Sequence, residues 1–157
     1  PNEKIHLYLF VILLPIIIFL LFNFSLFKLP KLFFGDSGSL LLGFIISFTA
    51  IYLANQKIVH PILVAFSVSI FVYEFLSINL IRLITKKPIF NAGKDHLHHI
   101  LFKKNKSLFF TNLSISVINI LFFTFGYLGF KFFNPLFSLI LFFLFFIIFF
   151  TVRKKFL

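Results

Sequence analysis

The stretch PLFSLILFFLFFIIFFTV, residues 135–152, decides the fold. It carries no charge, and it is bounded by Lys131 and Asn134 on one side and by Arg153-Lys154-Lys155 on the other. A helix rises about 1.5 Å per residue, so about twenty such residues cross the roughly 30 Å hydrocarbon core of a bilayer. Four more stretches come close to this length: Ile5 to Phe24, Gly38 to Ala54, Val59 to Thr85 and Leu108 to Phe130. Their apolar residues run on without alternating, which argues against a transmembrane barrel. The expected fold is all-α, a polytopic transmembrane helical bundle of about five spanning helices, with residues 1–157 forming a single membrane domain.

Composition agrees. Of 157 residues, 61% are hydrophobic, and the mean hydropathy is +1.09; a soluble domain of this size has no interior large enough for that much apolar surface. A net charge of +11 would suggest nucleic acid in a soluble protein. Here the cations sit in short gaps between apolar runs, so no nucleic-acid partner is expected and the surrounding partner is lipid. The lack of cysteine excludes disulfides, thiolate metal sites and a cysteine nucleophile. The 30 phenylalanines, beside many Ile, Leu, Lys and Asn, fit an AT-rich coding sequence and are given no functional weight. Residues 4 to 22 imitate a signal peptide, but the apolar stretch is too long and no small-x-small cleavage site follows. It reads as a spanning helix, with Pro15 expected to kink it.

Five passes place Lys28, Lys31, Arg82, Lys86, Lys87, Lys94, Lys103, Lys104, Lys106, Arg153, Lys154 and Lys155 on one side and Lys4, Lys57 and Lys131 on the other. Twelve against three assigns the first group to the cytoplasm. Residues 86–107 then form one long cytoplasmic loop rich in His and Lys. Two polar islands, Gly35-Asp36-Ser37-Gly38-Ser39 and Lys94-Asp95-His96-Leu97-His98-His99, fall on the same cytoplasmic side.

In the first island, a glycine-flanked Asp36 at a helix start leaves backbone N–H groups for phosphate, while its carboxylate can hold a divalent cation. Plain helix capping by Asp36 or Ser37 is the structural alternative. In the second, His96, His98 and His99 among lysines make an anion site able to bind a diphosphate or to protonate a leaving phosphate. Zinc is a rival ligand there, although Asp95 is the only acid in the loop to complete it; a solvated basic loop serving topology is the other alternative. Glu74 lies roughly eleven residues, about 15 Å, before the cytoplasmic end of its helix, where an acid needs a partner or a wet cavity. Arg82 is about 80° round the same helix, and Tyr73, Ser77 and Asn79 could share an interhelix bond with Glu74. Arg153-Lys154-Lys155, Lys28 and Lys31 read as topology anchors.

These residues together resemble the bacterial polyprenyl-phosphate N-acetylhexosamine-1-phosphate transferases, glycosyltransferase family 4. FFGDSGSLLLGF, residues 33–44, is similar to that family's Gly-Asp-x-Gly-Ser-x-x-x-Gly-Phe block, preceded by Asn23 and Pro30. Arg82, Pro88-Ile89-Phe90 and His96-Leu97-His98-His99-Ile100-Leu101 are similar to its Arg, Pro-x-Phe and His-x-His-His run, so the likeness extends from about residue 20 to 102. The resemblance implies transfer of an N-acetylhexosamine-1-phosphate from a UDP-sugar to undecaprenyl phosphate with release of UMP, in cell-envelope glycan synthesis such as lipopolysaccharide or cell wall biogenesis. It implies Mg²⁺, with Mn²⁺ as an alternative ion, and a multi-pass protein of the bacterial inner membrane with its active site on the cytoplasmic face. Carried over, Asp36 is the metal ligand, His96, His98 and His99 are catalytic at the nucleotide-sugar phosphates, and Gly35, Ser37, Gly38, Lys94, Arg82 and Glu74 bind substrate. Phosphoryl transfer between two anions needs cations to offset repulsion and little covalent work, which suits such residues.

Two family blocks, Asp-Asp-x-x-Asp and Asn-x-x-Asp-Gly, are absent from these residues, so the expectation is the C-terminal half of a longer transferase. Gly93 stands where an Asp commonly precedes the His run, and Glu74 stands where many members carry Asp. The rival reading is a non-catalytic membrane module, either a truncated paralogue or a small transport subunit using Glu74. The sequence leaves open the sugar, the polymer and a homodimer.

Overall fold

The computed structural model describes residues 2–24, 28–30, 32–33, 35–88 and 96–155. Seven helices account for most of them: α1 (Asn2–Asn23), α2 (Gly35–Asn55), α3 (Pro61–Ser67), α4 (Ser69–Ile84), α5 (Leu97–Asn105), α6 (Leu108–Phe132) and α7 (Pro135–Lys154). No strand occurs among the described residues. Four helices, α1, α2, α6 and α7, are each long and apolar enough to cross a membrane, and α3 with α4 makes a fifth crossing if the pair counts as one span. The all-helical, multi-pass architecture expected from the sequence is therefore found.

The chain divides into two compact units, Pro1–Thr49 and Ala50–Leu157. In the first, the Tyr8 and Thr49 hydroxyls are 3.0 Å apart and tie α1 to α2, and Asn23 Nδ2 donates to the Leu32 carbonyl at 3.1 Å, fastening the segment that follows α1. α2 starts at Gly35, three residues earlier than the expected Gly38, with Gly35 at φ +65°. Such a φ is open to glycine at no steric cost.

The second unit departs more from the straight-span picture. The apolar run from Val59 to Thr85, 27 residues in the sequence, is two helices bent by 73°. Val68 leaves the helical region at φ −114° and ψ 15°, although neither glycine nor proline stands there. The cause is Asn119 on α6. Its Nδ2 donates to the Ser67 carbonyl at 2.9 Å, and its Oδ1 accepts from Ser69 Oγ and from the Ile70 N–H, both at 3.1 Å. One amide side chain thus supplies both broken helix ends, which a lipid-embedded backbone requires.

Around the break, α3 and α4 pack on α6 and α7. Tyr73 and Phe66 are fully buried. Tyr73 donates its hydroxyl to the Phe142 carbonyl at 2.8 Å and is ringed by Phe122, Phe142, Phe146 and Phe149. Phe66 meets Phe142 and Phe145 edge-on, and it lies so close to Gly126 that a Cβ there would overlap its ring. Phe142, Phe145, Phe146 and Phe149 therefore form one i, i+3, i+4, i+7 stripe on α7 facing inward. Ser138 Oγ donates to the Gly126 carbonyl at 2.9 Å and closes α6 against α7. Large apolar side chains elsewhere on these helices face outward, the arrangement of a protein solvated by lipid.

Helix ends carry a second regularity. Among the described residues the non-glycine positions at positive φ are Lys28, Lys57, Lys86 and Lys106, all lysines. Lys106 caps the end of α5 in the left-handed conformation, and Lys57 and Lys86 follow the ends of α2 and α4. A cation there complements the helix macrodipole.

Candidate functional site

In the first unit, Asp36 lies inside the first turn of α2 and is exposed. It is not the residue ahead of the helix, so the capping role considered for it is replaced by a carboxylate at the positive end of the helix. Ser39 Oγ donates to the Asp36 carbonyl at 2.9 Å. Gly35, Ser37 and Gly38 share this turn. A single carboxylate fits one bond to a hard cation such as Mg²⁺, which keeps several waters and takes substrate phosphates as further ligands.

The second unit gathers the other residues. His96 stands at the N-cap of α5, so His98 and His99 fall in its first turn, and α4 presents Glu74 to them. Glu74 Oε1 accepts from the Leu97 N–H at 2.8 Å and lies 3.2 Å from His96 Nδ1. The guanidinium of Arg153, from the end of α7, approaches the same oxygen at 3.8 Å. The rings of His98 and His99 are 4.2 Å apart, and those of His96 and His98 5.5 Å. The first turn of α5 is thus pinned by a carboxylate on its free N–H, a charge-assisted cap at the positive helix end.

Beside this cluster opens a cavity of about 600 Å³. Leu97, Ile100, Leu101, Ile118, Phe149 and Val152 give it apolar walls, while Lys103, Lys104 and Arg153 supply the cationic part and His99 a further polar ring. Such a lining accepts an anion joined to an apolar body.

Partial desolvation lowers the pKa of the largely exposed His98 below its usual value, and the neighbouring His99, His96 and Arg153 push the same way against the opposing pull of Glu74. His98 is therefore neutral near pH 7, holding a lone pair available to a ligand. Its folded-state pKa lies below the unfolded one, so the stability linked to it is complete above about pH 6.5 and is lost as pH falls below that. A proton NMR titration of the metal-free protein is expected to give His98 a midpoint below that of free histidine. His99→Ala should move the midpoint upward by removing a repelling charge.

Several expectations need correction. Glu74 lies on α4, six residues after the 73° bend that breaks the expected single helix at Val68, and the His segment reaches its carboxylate. Its carboxylate meets His96, the Leu97 N–H and Arg153. Arg153, read as a topology anchor, is buried and faces Glu74. Ser77 Oγ donates to the Glu74 carbonyl, not its carboxylate, and Tyr73 turns to α7. Arg82 is buried on α4. Lys94, with Gly93 and Asp95, lies outside the described residues. Glu74, His96, His98 and His99 are brought together within the second unit, whereas Asp36, Gly35, Ser37 and Gly38 belong to the first.

Residues 1–54 match the family model of glycosyl transferase family 4. The resemblance drawn from the sequence holds over this part of the chain, which contains the Asp36 block; the His run lies beyond it. No curated protein and no solved structure matches the chain. The match and the apolar helices together support a multi-pass membrane transferase of glycosyl-phosphate groups in general terms.

Proposed function

We propose that this chain takes part in transferring an N-acetylhexosamine-1-phosphate from a UDP-sugar to undecaprenyl phosphate at the cytoplasmic face of a bacterial inner membrane. The observation that carries the reading is the family match over residues 1–54, which contains Asp36. In this reading Asp36 holds Mg²⁺, which supplies charge neutralisation at the diphosphate. His96, His98 and His99 line the phosphates of the nucleotide sugar, and Glu74 fixes the first of them in one orientation through the 3.2 Å contact. Lys103, Lys104 and Arg153 offset the repulsion between donor and acceptor phosphates at the cavity they line. The test is UMP release by membranes of cells that express the gene, given UDP-N-acetylglucosamine, undecaprenyl phosphate and Mg²⁺. Release that does not depend on the lipid acceptor would overturn the reading.

The proposal also requires the Asp36 and His segments to face one compartment, hence α3 and α4 to cross as one bent span. Basic residues do not decide this. Were α3 and α4 to re-enter without crossing, Lys28, Lys31 and Lys131 would stand against the other twelve, the same ratio as before. The chain has no cysteine, so single introduced thiols report unambiguously. Phe33→Cys and Lys104→Cys are both expected to react with a membrane-impermeant maleimide in inverted vesicles and to be protected in intact spheroplasts. Opposite labelling of the two would sink the shared site.

A further inference from the structure

We propose that Glu74, His96 and His98 form a binding site for a divalent transition metal, with Zn²⁺ the expected occupant. One ligand atom from each of the three lies within 4.8 Å of the other two. The acid comes from α4, 22 residues before His96.

Tetrahedral zinc with bonds of about 2.0–2.2 Å sets its ligand atoms about 3.3–3.5 Å apart. The His96 to Glu74 separation of 3.2 Å comes within about 0.1 Å of this, and the exposed His98, with its ligand atom within 4.8 Å of both, needs a side-chain movement of up to about 1.5 Å to join them. The backbone is prepared for it. The Leu97 N–H bond to Glu74 Oε1 sets the carboxylate and the His96-x-His98 turn in one frame, and outer groups of this kind orient first ligands. The contacts of Leu97, His96 and Arg153 all use Oε1; a carboxylate offers about four acceptor positions, so it keeps capacity for a metal bond. Two imidazoles and one carboxylate favour zinc over Mg²⁺, which prefers an all-oxygen shell. Three protein ligands leave a fourth position for water or an oxyanion.

The test uses the untagged full chain in detergent micelles, stripped with a chelator, and Zn²⁺ alone as the titrant against a fluorescent chelator. One Zn²⁺ per chain is expected, with micromolar or tighter affinity, unaffected by millimolar Mg²⁺. Co²⁺ should give the visible absorption of a tetrahedral nitrogen–oxygen site. His98→Ala and Glu74→Gln should each weaken binding at least about tenfold, while His99→Ala stays within about threefold. His98 is exposed, so its truncation leaves the packed interior intact, and circular dichroism verifies this for both variants. Binding weaker than about 100 µM, or equal affinity in His98→Ala and the parent, would overturn the site. Because no sugar or lipid enters the assay, its failure leaves the transferase reading untouched, and the converse also holds.

Discussion

Asp36→Asn is expected to lower UMP release about 100-fold or more while leaving thermal stability nearly unchanged. The exchange keeps size and an acceptor oxygen but removes the charge that would hold a hard cation. A metal clamp at a transferring phosphoryl group contributes several kcal/mol of transition-state stabilisation, and each 1.36 kcal/mol is about tenfold in rate. The structural cost is small by comparison. Asp36 is exposed in the first turn of α2, where losing a favourable dipole interaction costs about 0.3–1 kcal/mol. The loss should fall on kcat and on the Mg²⁺ concentration needed for half-maximal rate, with the thermal midpoint as control. Unaltered UMP release in the variant would remove Asp36 from the metal role.

Asn119→Leu is expected to cost about 2–4 kcal/mol of stability. The side chain makes three hydrogen bonds, to the Ser67 carbonyl, the Ser69 hydroxyl and the Ile70 N–H. Leucine of similar volume would leave a helix-terminal donor and a helix-terminal acceptor unmet, each costing about 1–3 kcal/mol. Interhelical bonds in membranes average about 0.6 kcal/mol, which holds the sum to the lower part of that range. Thermal unfolding in detergent measures it, with Asn112→Leu, at an exposed position of the same helix, as the control. Equal midpoints for the two variants would show that Asn119 does not hold the break.

Much of the architecture was legible in apolar run length alone, because a bilayer demands helices of one size. The break at Val68 was not. It follows from an amide on another helix, and the local sequence Ser67-Val68-Ser69 lacks glycine or proline to announce it. Two hints existed: a run of 27 residues exceeds what a span needs, and Asn119 stands in the middle of an apolar helix. The inward stripe of α7 was hidden for a different reason. In lipid both faces are apolar, so no contrast marks Phe142, Phe145, Phe146 and Phe149, and compositional bias in phenylalanine obscured them further.

The site was half legible. Glu74 and the histidines were each conspicuous as polar residues in an apolar chain, yet their meeting depended on where α5 packs, which local sequence does not announce. Arg153 could have been found by counting. Arginine occurs twice among 15 basic residues, at 82 and 153, and both are buried whereas the described lysines are not. A chain that uses lysine wherever charge alone suffices keeps arginine where a planar, multiply donating group is needed.

The lysines at positive φ have a consequence for anyone engineering this protein. At Lys28, Lys57, Lys86 and Lys106 the main chain adopts a left-handed twist that costs an ordinary residue about 1–2 kcal/mol, and glycine would be the usual remedy. Each such exchange would also erase one of the cations by which an inserting chain chooses its orientation. Comfort of the main chain and its sense of direction are drawn from the same four residues, so neither can be improved without spending the other.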